Sequence, residues 1–355
     1  MKHPIKTLSL AVCLASSVVL PAQGAEQRIM LKMPIAFNSK LPSVGTTATY
    51  IEETLNTTSG GSIRVKKYEP GKLIAPFEIL DAVSAGKVSA GFGSPGYWVG
   101  KIPAASVFSS VPFGPEAGEY MAWVYHGNGR KLWQEMYDTN GYNVHAIPCA
   151  VVAPETSGWF SKPIESAEDL KGLRMRFFGL GGEVMQKLGV NTSLLSGAEI
   201  FPALEKGAID ATEFSMPVID QMIGLHKVAK YNYYPGWHQQ ATLLELLVNK
   251  KTWNKMSETQ QALVETTCRS AMAVSFAEGE ALQFAAMNKN IEKNGVHNLR
   301  WSDEMLDLFR TTWEEVAAEK SAADPFFAKA YGDLQGFREE YKIWKENAFM
   351  PRRPE

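Results

Sequence analysis

Cysteine is scarce in this chain of 355 residues, which contains only Cys13, Cys149 and Cys268. So few cysteines exclude a small scaffold that depends on several disulfides. Cys13 lies in an N-terminal segment that we expect to be removed. Cys149 and Cys268 could pair in an oxidising compartment. However, Cys268 falls in the helical pattern of residues 260–280, where a small buried thiol is the commoner outcome, and we therefore expect no disulfide.

Positive charge is not in excess either. Lysine and arginine number 36 and aspartate and glutamate 38, which gives a net charge of −2. The first 25 residues hold Lys2, Lys6 and no acidic residue, so their removal would leave 34 minus 38, or −4. An acidic protein without a basic stretch is a poor ligand for a polyanion, and we expect no nucleic-acid partner.

Long apolar runs are also missing beyond the N-terminus. Lys2 and Lys6 precede an apolar run at residues 8–20, and Pro21 and the small residues 22–25 follow it. This order is typical of a secretory signal peptide, which predicts cleavage after residue 25 and a periplasmic product. The apolar run is too short to span a bilayer. Val12 before Cys13 fits poorly with lipoprotein processing, so we expect a soluble exported protein without a lipid anchor.

The chain lacks the common catalytic motifs. G-x-S-x-G, H-E-x-x-H and Walker patterns do not occur, and the six histidines are scattered. Residues 91–96 match G-x-G-x-x-G, but Pro95 stands where a helix should begin and no acidic residue follows at the ribose-binding distance. His238 is the one histidine expected near a cleft, where a hinge residue bonded to the backbone is the commoner role. We predict no catalytic residue.

An internal repeat indicates how the chain is organised. The pattern that runs from Ala82 through Gly86 to Ala90 recurs from Ala203 through Gly207 to Ala211. In each copy an apolar helical run precedes the glycine and a short apolar run follows it, which predicts a helix that ends at a glycine and leads into a strand. Two such units predict two similarly built α/β lobes, with the cleft between them as the default binding site.

Periodicity predicts the elements of the first lobe in βαβ order, which favours a mostly parallel sheet. The expected strands are residues 28–35, 63–68 and 88–92, and the expected helices are residues 46–57 and 76–85. Residues 144–152 should carry the chain into a second lobe that opens at residues 158–160 and runs to about residue 234. Residues 245–249 should carry it back. The pattern is helical from residue 262 onward, with a long helix at residues 302–322.

Two crossings predict lobes that are discontinuous in sequence. The first lobe should comprise residues 26–150 plus about 240–290. The second should comprise residues 151–239 plus about 291–355. Hinge strands are expected near residues 149 and 245.

Several blocks of this sequence follow one another in a characteristic order and spacing: Val83–Gly86, Tyr97-Trp98, Gly100-Lys101, Val111–Gly114, Gly158–Phe160, Arg176, Gly179–Glu183, Gly207–Glu213 and Tyr233–His238. Together they resemble the extracytoplasmic solute-binding proteins of TRAP (tripartite ATP-independent periplasmic) transporters. Within that family they are similar to the branch that binds 2-oxo monocarboxylates or lactate with a cation. The resemblance implies an α/β fold, a two-lobed periplasmic binding protein of type II-like topology with a long helix that spans the lobes.

The resemblance places Arg176 on the arginine that clamps the substrate carboxylate. A planar guanidinium can make two parallel charge-assisted bonds to a carboxylate, which lysine cannot do. The structural alternative is an arginine that caps a strand or pairs with Asp169 or Glu183. Arg174 is the next candidate for the clamp, since strand periodicity without a bulge puts it on the same face as Arg176.

The resemblance also implies a cation site, from which this sequence departs. The branch has glutamine before the Gly-Trp-Phe block and glutamate after the hinge Trp-His, whereas this chain has Glu155 and Gln239. The two residue types have exchanged places, so with Glu213 two carboxylates and one amide remain. Together with the main-chain carbonyl of Phe214, they form an oxygen-only set that suits Na⁺ or Ca²⁺. Solvent exposure of Glu155 or Gln239 is the alternative.

Aromatic residues should close the site from the other lobe. Tyr97 and Trp98 follow a predicted strand, and Phe37 follows the first strand where the branch often has tryptophan; Trp98 could instead be a core residue. A ring can cover the carbon chain of a ligand while a phenol bonds its oxygen. Phe37 and Phe214 lack the indole donor, which favours a ligand different from pyruvate. Asp220 could reach a substrate hydroxyl or lie on a helix surface.

These features predict capture of a small organic acid, a 2-oxo or 2-hydroxy monocarboxylate, for separate TRAP membrane permease subunits. Ligand and cation should bind best when the lobes close. A homodimer remains possible. The alternatives are a TRAP binding protein for another acid without a cation, and a secreted hydrolase or isomerase that uses Glu155 and Glu213 as an acid–base pair.

Overall fold

The first lobe is built as the βαβ order predicts. The structure, a computed structural model, describes residues 26–350, so the predicted signal peptide lies outside the described residues. Short 3₁₀ helices are at Pro76–Glu78, Pro95–Trp98 and Pro103–Phe108. The main elements are β1 (Ile29–Pro34), α1 (Thr46–Thr58), β2 (Ile63–Tyr68), α2 (Ile79–Ser84), β3 (Ala90–Gly93), α3 (Ala117–His126), α4 (Gly129–Thr139) and β4 (Val144–Val152).

The second lobe follows without a break. After it, the chain returns through a strand and ends in helices. The elements of the second lobe are β5 (Gly158–Phe160), a 3₁₀ helix (Ala167–Leu170), β6 (Arg174–Arg176), α5 (Gly179–Lys187), β7 (Asn191–Ser193), α6 (Gly197–Glu205), β8 (Ala211–Thr212), α7 (Pro217–Met222), α8 (Leu225–Val228) and β9 (Tyr231–Tyr234). The remaining elements are β10 (Thr242–Asn249), α9 (Lys250–Trp253), α10 (Glu258–Asn294), β11 (His297–Arg300), α11 (Asp303–Ala323) and α12 (Pro325–Ala348).

Both lobes contain parallel and antiparallel strand pairs. In the first lobe, β1 and β2 are parallel, while β10 lies antiparallel between β3 and β4. The second lobe has one sheet in the order β11-β9-β5-β8-β6-β7. Here β6 is parallel to β7 and β8, whereas β5 is antiparallel to both of its neighbours. In the first lobe, β10 is antiparallel to β4 because β4 leaves that lobe and β10 returns beside it.

The predicted hinge strands correspond to β4 and β10, which pair from Thr242 opposite Val152 to Asn249 opposite Val144. Helix α10 lies across both lobes, since it packs on β4 and α1 in the first and on α7 and β11 in the second. At Gly279 on this helix, an added Cβ would lie 3.0 Å from the Cβ of Ala153 and 3.2 Å from the Sδ of Met216. The predicted spanning helix is therefore present.

The C-terminal helix α12 packs on the first lobe, whereas the expected division put residues 291–355 in the second. Asp333 accepts hydrogen bonds from Trp123 Nε1 at 2.8 Å and from Asn128 Nδ2 at 2.7 Å. Arg338 donates to Glu119 at 3.1 Å. Amphipathic periodicity shows that a helix has an apolar face, but not which lobe that face meets.

Cys149 and Cys268 form a disulfide, so the expectation of two free thiols was wrong. Cys149 lies in β4 and Cys268 in α10, with Cα atoms 4.3 Å apart and both side chains buried. The close approach of helix and strand explains the pairing. The same close approach is seen at Ser275 in α10, whose hydroxyl forms hydrogen bonds with the main chain of Val151 in β4. The helical pattern around Cys268 could not show that this face lies on the hinge strand.

The two copies of the sequence repeat, residues 82–90 and 203–211, form the same local structure. Gly86 has φ 72° and Gly207 has φ 65°, and each follows the last turn of a helix. Such positive φ values favour glycine. A strand begins four residues later in both cases, β3 at Ala90 and β8 at Ala211. Of the helices formed by residues 26–350, none combines the length and apolar character that a membrane span requires.

Candidate ligand- and cation-binding site

A cavity lies between the two lobes, where the carboxyl ends of several strands meet. The space between the atoms that line it is about 350 Å³, part of which is open to solvent. The position follows the general rule that open α/β sheets bind ligands beyond the carboxyl ends of their strands. The lining residues are Phe37, Val44, Ser94, Tyr97, Val152, Glu155, Arg176, Phe178, Phe214, Ser215, Gln239, Thr242 and Leu244.

Arg176 is the buried cation of this cavity. It ends β6 and is 1% exposed. Its Nη1 donates to the main-chain oxygen of Glu213 at 2.6 Å and to Glu213 Oε1 at 2.8 Å, and its Nε donates to Leu195 O at 3.2 Å. These bonds fix the plane of the guanidinium, which also lies 5.3 Å from the centre of the Phe214 ring. A preorientated guanidinium is suited to binding a carboxylate.

The alternative partners of Arg176 are occupied elsewhere. Asp169 accepts from the amides of Glu165 and Ser166, and Glu183 pairs with Lys320 at 2.7 Å. Arg174 is half exposed and binds Asp210, with 2.5 Å between Nη2 and Oδ1. The structure therefore separates the two arginines of β6, with Arg174 at the surface and Arg176 in the cavity.

Two carboxylates stand beside Arg176. Glu213 is fully buried, and its Oε1 accepts from Arg176 and, at 2.5 Å, from the amide of Phe178. Glu155 is 6% exposed, and its Oε1 accepts from Ser215 Oγ at 3.1 Å. The second oxygen of each carboxylate is buried and has no hydrogen-bond partner within the described residues. Unpaired buried carboxylate oxygens are costly unless a cation or a donor meets them.

His238 joins these two carboxylates. Ligand atoms of Glu155, Glu213 and His238 all lie within 4.8 Å of one another, and His238 Nε2 is 3.7 Å from Glu213 Oε2. Neither ring nitrogen has a hydrogen-bond partner within the described residues. The interpretation of His238 as a hinge residue bonded to the backbone was therefore wrong. Its place in the Trp-His pair directly before Gln239 was the signal in the sequence.

The two carboxylates differ in their electrostatic surroundings. Burial raises the pKa of Glu155 well above its usual value, and the neighbouring charges of Glu213 and Asp220 add to the effect. Burial also opposes ionisation of Glu213. The Arg176 guanidinium, with help from His238 and the Phe178 amide, nevertheless holds the pKa of Glu213 below its usual value. The pair thus combines a charged Glu213 with a Glu155 whose ionisation requires additional positive charge.

Of the other expected cation ligands, Gln239 and Phe214 both line the cavity. The amide oxygen of Gln239 accepts from Thr242 Oγ1 at 2.5 Å, and its main-chain oxygen accepts from the amide of Glu155 at 3.3 Å. Neither Glu155 nor Gln239 is exposed. All four expected residues therefore lie at or beside the cavity, and His238 is an addition to them.

Aromatic rings form part of the cavity wall. Ring centres of Phe37 and Tyr97 are 5.5 Å apart, and those of Tyr97 and Phe178 are 5.7 Å apart. Tyr97 is 6% exposed and its buried hydroxyl has no hydrogen-bond partner within the described residues. Burial raises the pKa of Tyr97 to about 12, so the phenol is a neutral donor at ordinary pH.

Trp98 and Asp220, two expected substrate contacts, do not line the cavity. Trp98 is fully buried and its Nε1 donates to Glu245 at 2.8 Å inside the first lobe. Asp220 is also fully buried. It accepts from Trp159 Nε1 at 2.7 Å, from the amide of Ser215 at 3.1 Å and from Thr156 Oγ1 at 3.3 Å. Burial raises the pKa of Asp220 to about 7. Both residues support the loops that carry cavity residues.

A cavity enclosed between two lobes, with a buried arginine and unpaired carboxylate oxygens, defines a bilobal binding protein for a small acid. Residues 37–324 match the family described as bacterial extracellular solute-binding protein, family 7 (DctP). The chain belongs to this family of TRAP transporter solute-binding proteins, which confirms the resemblance seen in the sequence. Proteins of the family are extracytoplasmic receptors.

Several relatives share most of the chain. It is 35% identical, over 286 residues, to a monocarboxylate 2-oxoacid-binding periplasmic protein of Nostoc sp., an alignment that covers 81% of this chain and 78% of that protein. A TRAP transporter solute-binding protein of Bordetella bronchiseptica, a dimer with calcium and picolinate in its site, is 29% identical. It superposes with a TM-score of 0.88 over 91% of this chain and 95% of its own.

A third relative is a TRAP periplasmic solute-binding protein of Pseudoalteromonas atlantica with bound sodium and pyruvate. It is 28% identical and has a TM-score of 0.86 over 91% of this chain and 97% of its own. These similarities agree with the two-lobed α/β fold predicted from the sequence.

Proposed function

We propose that this protein captures a 2-oxo or 2-hydroxy monocarboxylate together with Na⁺ or Ca²⁺ in the periplasm and delivers the acid to a TRAP membrane permease. One observation carries the proposal. Arg176, which can bind a carboxylate, lines the same cavity as Glu155 and is paired with the buried Glu213, and the unpaired oxygens of these two carboxylates can bind a cation. The relatives with calcium and picolinate and with sodium and pyruvate support it.

Each part of such a ligand has a counterpart in the cavity. The carboxylate would bind Arg176, and the oxygen on the second carbon would face the Tyr97 hydroxyl, the buried donor that lacks a partner within the described residues. The carbon chain would lie among Phe37, Phe178 and Phe214. Apolar walls favour a ligand with one carboxylate, because a second buried charge would need a partner of its own.

A cation would be held by Glu155 and Glu213, with the Phe214 carbonyl and Gln239 as the further oxygen ligands and His238 beside them. An oxygen-rich set of this kind fits Na⁺ or Ca²⁺. When bound, the ion would supply the positive charge that compensates the two carboxylates and the anionic ligand. The unpaired buried oxygens of both glutamates are the structural support for this fit.

Capture rather than catalysis is the proposed mode of action. The alternative, a hydrolase or isomerase with Glu155 and Glu213 as acid and base, has some support in their contrasting pKa shifts. Against it, Glu213 is tied by Oε1 to Arg176 and the Phe178 amide, so that its position is fixed by structural bonds. Mass spectrometry of the ligand after long incubation with the protein separates the two: capture leaves the ligand unchanged.

The test of the proposed function is calorimetry with pyruvate and lactate. Protein is desalted exhaustively into choline buffer with a chelator, and titrated there and again after addition of Na⁺ or Ca²⁺. We expect binding to weaken without the ion and to recover with it, because only the occupied site compensates the buried carboxylates. Glu155→Gln should reduce the dependence on the ion, whereas Glu119→Gln, distant from the cavity, should keep it.

Equal affinity in both buffers would contradict the cation site. Glu155 and Glu213 would then be acceptors for ligand hydroxyls, as in a TRAP protein for another polar acid.

A further inference from the structure

The hinge strand β10 carries a buried carboxylate that does not face the cavity. Glu245 is fully buried and accepts three hydrogen bonds from side chains of the first lobe. Oε1 accepts from Trp98 Nε1 at 2.8 Å and from Tyr137 OH at 2.5 Å, and Oε2 accepts from Trp133 Nε1 at 2.8 Å. Within residues 26–350, Glu245 forms no ion pair.

A buried carboxylate with only neutral donors is a costly way to fill a core. Apolar residues of similar volume often give equal or greater stability. A fully satisfied polar network does, however, fix the positions of its members more narrowly than apolar packing does. The network of Glu245 is complete, because both oxygens are bonded, so it can hold Trp98, Trp133 and Tyr137 in one arrangement.

The network lies directly behind a residue of the cavity. Glu245 pairs in the sheet with Gly93, the last residue of β3. The chain then enters the 3₁₀ helix that contains Tyr97 and Trp98, and Ser94 caps it by accepting from the amide of Gly96 at 3.2 Å. Tyr97 therefore lies in a short helix between the capping residue Ser94 and Trp98, whose indole is hydrogen-bonded to Glu245.

The strand β10 contributes both to the cavity wall and to the network around Glu245. The pairing of β10 with β4 is irregular between Leu244 and Glu245. Leu244 lines the cavity, whereas Glu245 bonds residues inside the first lobe. One short stretch of the hinge therefore contributes both to the cavity wall and to the support of Tyr97.

We propose that Glu245 is a positioning residue for ligand binding, which acts through Trp98 to hold the Tyr97 hydroxyl at the cavity. The ligand part of this inference rests on the proposed function. Trp98 and Trp133 donate to different oxygens of Glu245, so both atoms must accept, which a carboxyl group can do whether or not it carries a proton. Glutamine would turn an NH₂ group toward at least one donor, and two donors cannot bond each other.

A double-mutant cycle with Glu245→Gln and Tyr97→Phe tests whether the effect passes through Tyr97. Pyruvate affinity is measured by calorimetry in Na⁺ buffer. We expect Glu245→Gln to weaken binding roughly tenfold in the wild-type background and less than about twofold in the Tyr97→Phe background, since Glu245 and Tyr97 are coupled through their shared neighbour Trp98. Glu119→Gln changes another buried carboxylate of the first lobe, bound to Arg338, and should leave affinity unchanged.

A second measurement needs no ligand. Fluorotyrosine at position 97 should give a single ¹⁹F resonance in the wild-type background and in Glu119→Gln. In Glu245→Gln we expect a broadened or divided resonance, because the ring is no longer held in one place. Should Glu245→Gln fail to fold, Trp98→Phe removes the donor to Glu245 and keeps a smaller aromatic ring, and it should give the same change.

Additive affinities in the cycle would overturn the inference, and so would an unchanged ¹⁹F resonance in Glu245→Gln or Trp98→Phe. Failure of the wild-type protein to bind any 2-oxo or 2-hydroxy monocarboxylate would instead contradict the proposed function. The ¹⁹F spectra would then decide the positioning role alone.

Discussion

At the scale of single residues, the charge of Arg176 explains why an acid and a cation would be captured together. Arg176 is already paired with Glu213 at 2.8 Å, and both side chains are buried. A bound carboxylate therefore adds a negative charge that the arginine alone does not balance. Burial of an uncompensated charge is strongly unfavourable. A cation at Glu155 and Glu213 would supply the missing charge, which makes binding of the two mutually favourable.

Replacement of Arg176 by lysine should keep the fold and weaken carboxylate binding by roughly 2–5 kcal/mol, since one planar guanidinium bonds Leu195 and Glu213 and leaves Nη2 for the ligand, which an ammonium cannot reproduce. Calorimetry with pyruvate gives the affinity. Arg174→Lys is the matched control on the same strand, because this side chain is half exposed and its pair with Asp210 should contribute little. Equal losses in the two variants would mean that the carboxylate binds elsewhere.

Glu245 should make the stability of the protein depend on pH. Burial raises the pKa of Glu245 to about 7, although its three side-chain donors oppose the shift. The folded state then holds a proton that the unfolded state releases near its ordinary pKa. Stability should therefore fall as pH rises from about 5 to about 8, by roughly 1–3 kcal/mol for this group.

Urea denaturation at a series of pH values measures this dependence. Glu245→Gln cannot titrate, so its stability should change less than that of the wild type over the same range. Parallel curves for the two proteins would show that Glu245 titrates normally or stays charged throughout.

At the scale of elements, the hinge strand β4 is held to α10 by the disulfide between Cys149 and Cys268. The bond closes a loop of 119 residues in the unfolded chain. Removal of Cys149 and Cys268 together by alanine should lower the free energy of unfolding by roughly 2–4 kcal/mol, mainly because the unfolded chain gains freedom.

Urea denaturation under oxidising conditions tests this, with reduced wild-type protein as the comparison. Reduced wild type and the double variant should agree. If the double variant were as stable as oxidised wild type, the disulfide would contribute nothing to stability.

Elements with a clear period were predictable, and contacts between distant elements were not. The alternation of buried and exposed residues defined β2, predicted at residues 63–68, and the length of the apolar run defined β4, predicted at residues 144–152. The disulfide depends on which face of α10 meets β4. A helical pattern in one sequence does not contain that information.

Contacts with the cavity were likewise only partly predictable from the sequence. Arg176, Glu155, Glu213, Gln239 and Phe214 were found through residue chemistry and the family resemblance. Trp98 and Asp220 follow or precede cavity residues closely in sequence, yet they bond inside the lobes. Strand and helix geometry turns neighbouring side chains to different faces, so proximity in sequence did not establish contact with the cavity.

At the scale of the whole molecule, the two lobes meet closely around the cavity. Gly96 of the first lobe lies against Phe178 of the second, where an added Cβ would be 2.1 Å from the ring Cζ. Phe178 also packs edge-on against Tyr97. The absence of a side chain at Gly96 is therefore a condition for this approach of the lobes. Rigid lobes on a strand hinge are expected to open and close as bodies.

Gly96→Ala should accordingly disfavour closure while each lobe keeps its own core. The wild-type protein should show a smaller radius of gyration in small-angle scattering when saturated with ligand and ion, and the decrease should be smaller in Gly96→Ala. Ligand affinity should fall at least roughly tenfold, because ligand binding must then also overcome the clash.

Gly100→Ala is the matched control in the same segment, since no heavy atom lies within 4 Å of its added Cβ. Ligand should raise the melting temperature of the control as it does that of the wild type, since only folded protein binds it. If saturating ligand left the scattering profile of the wild type unchanged, or if Gly96→Ala bound as tightly as Gly100→Ala, closure would not be coupled to capture and a preformed pocket would be the better description.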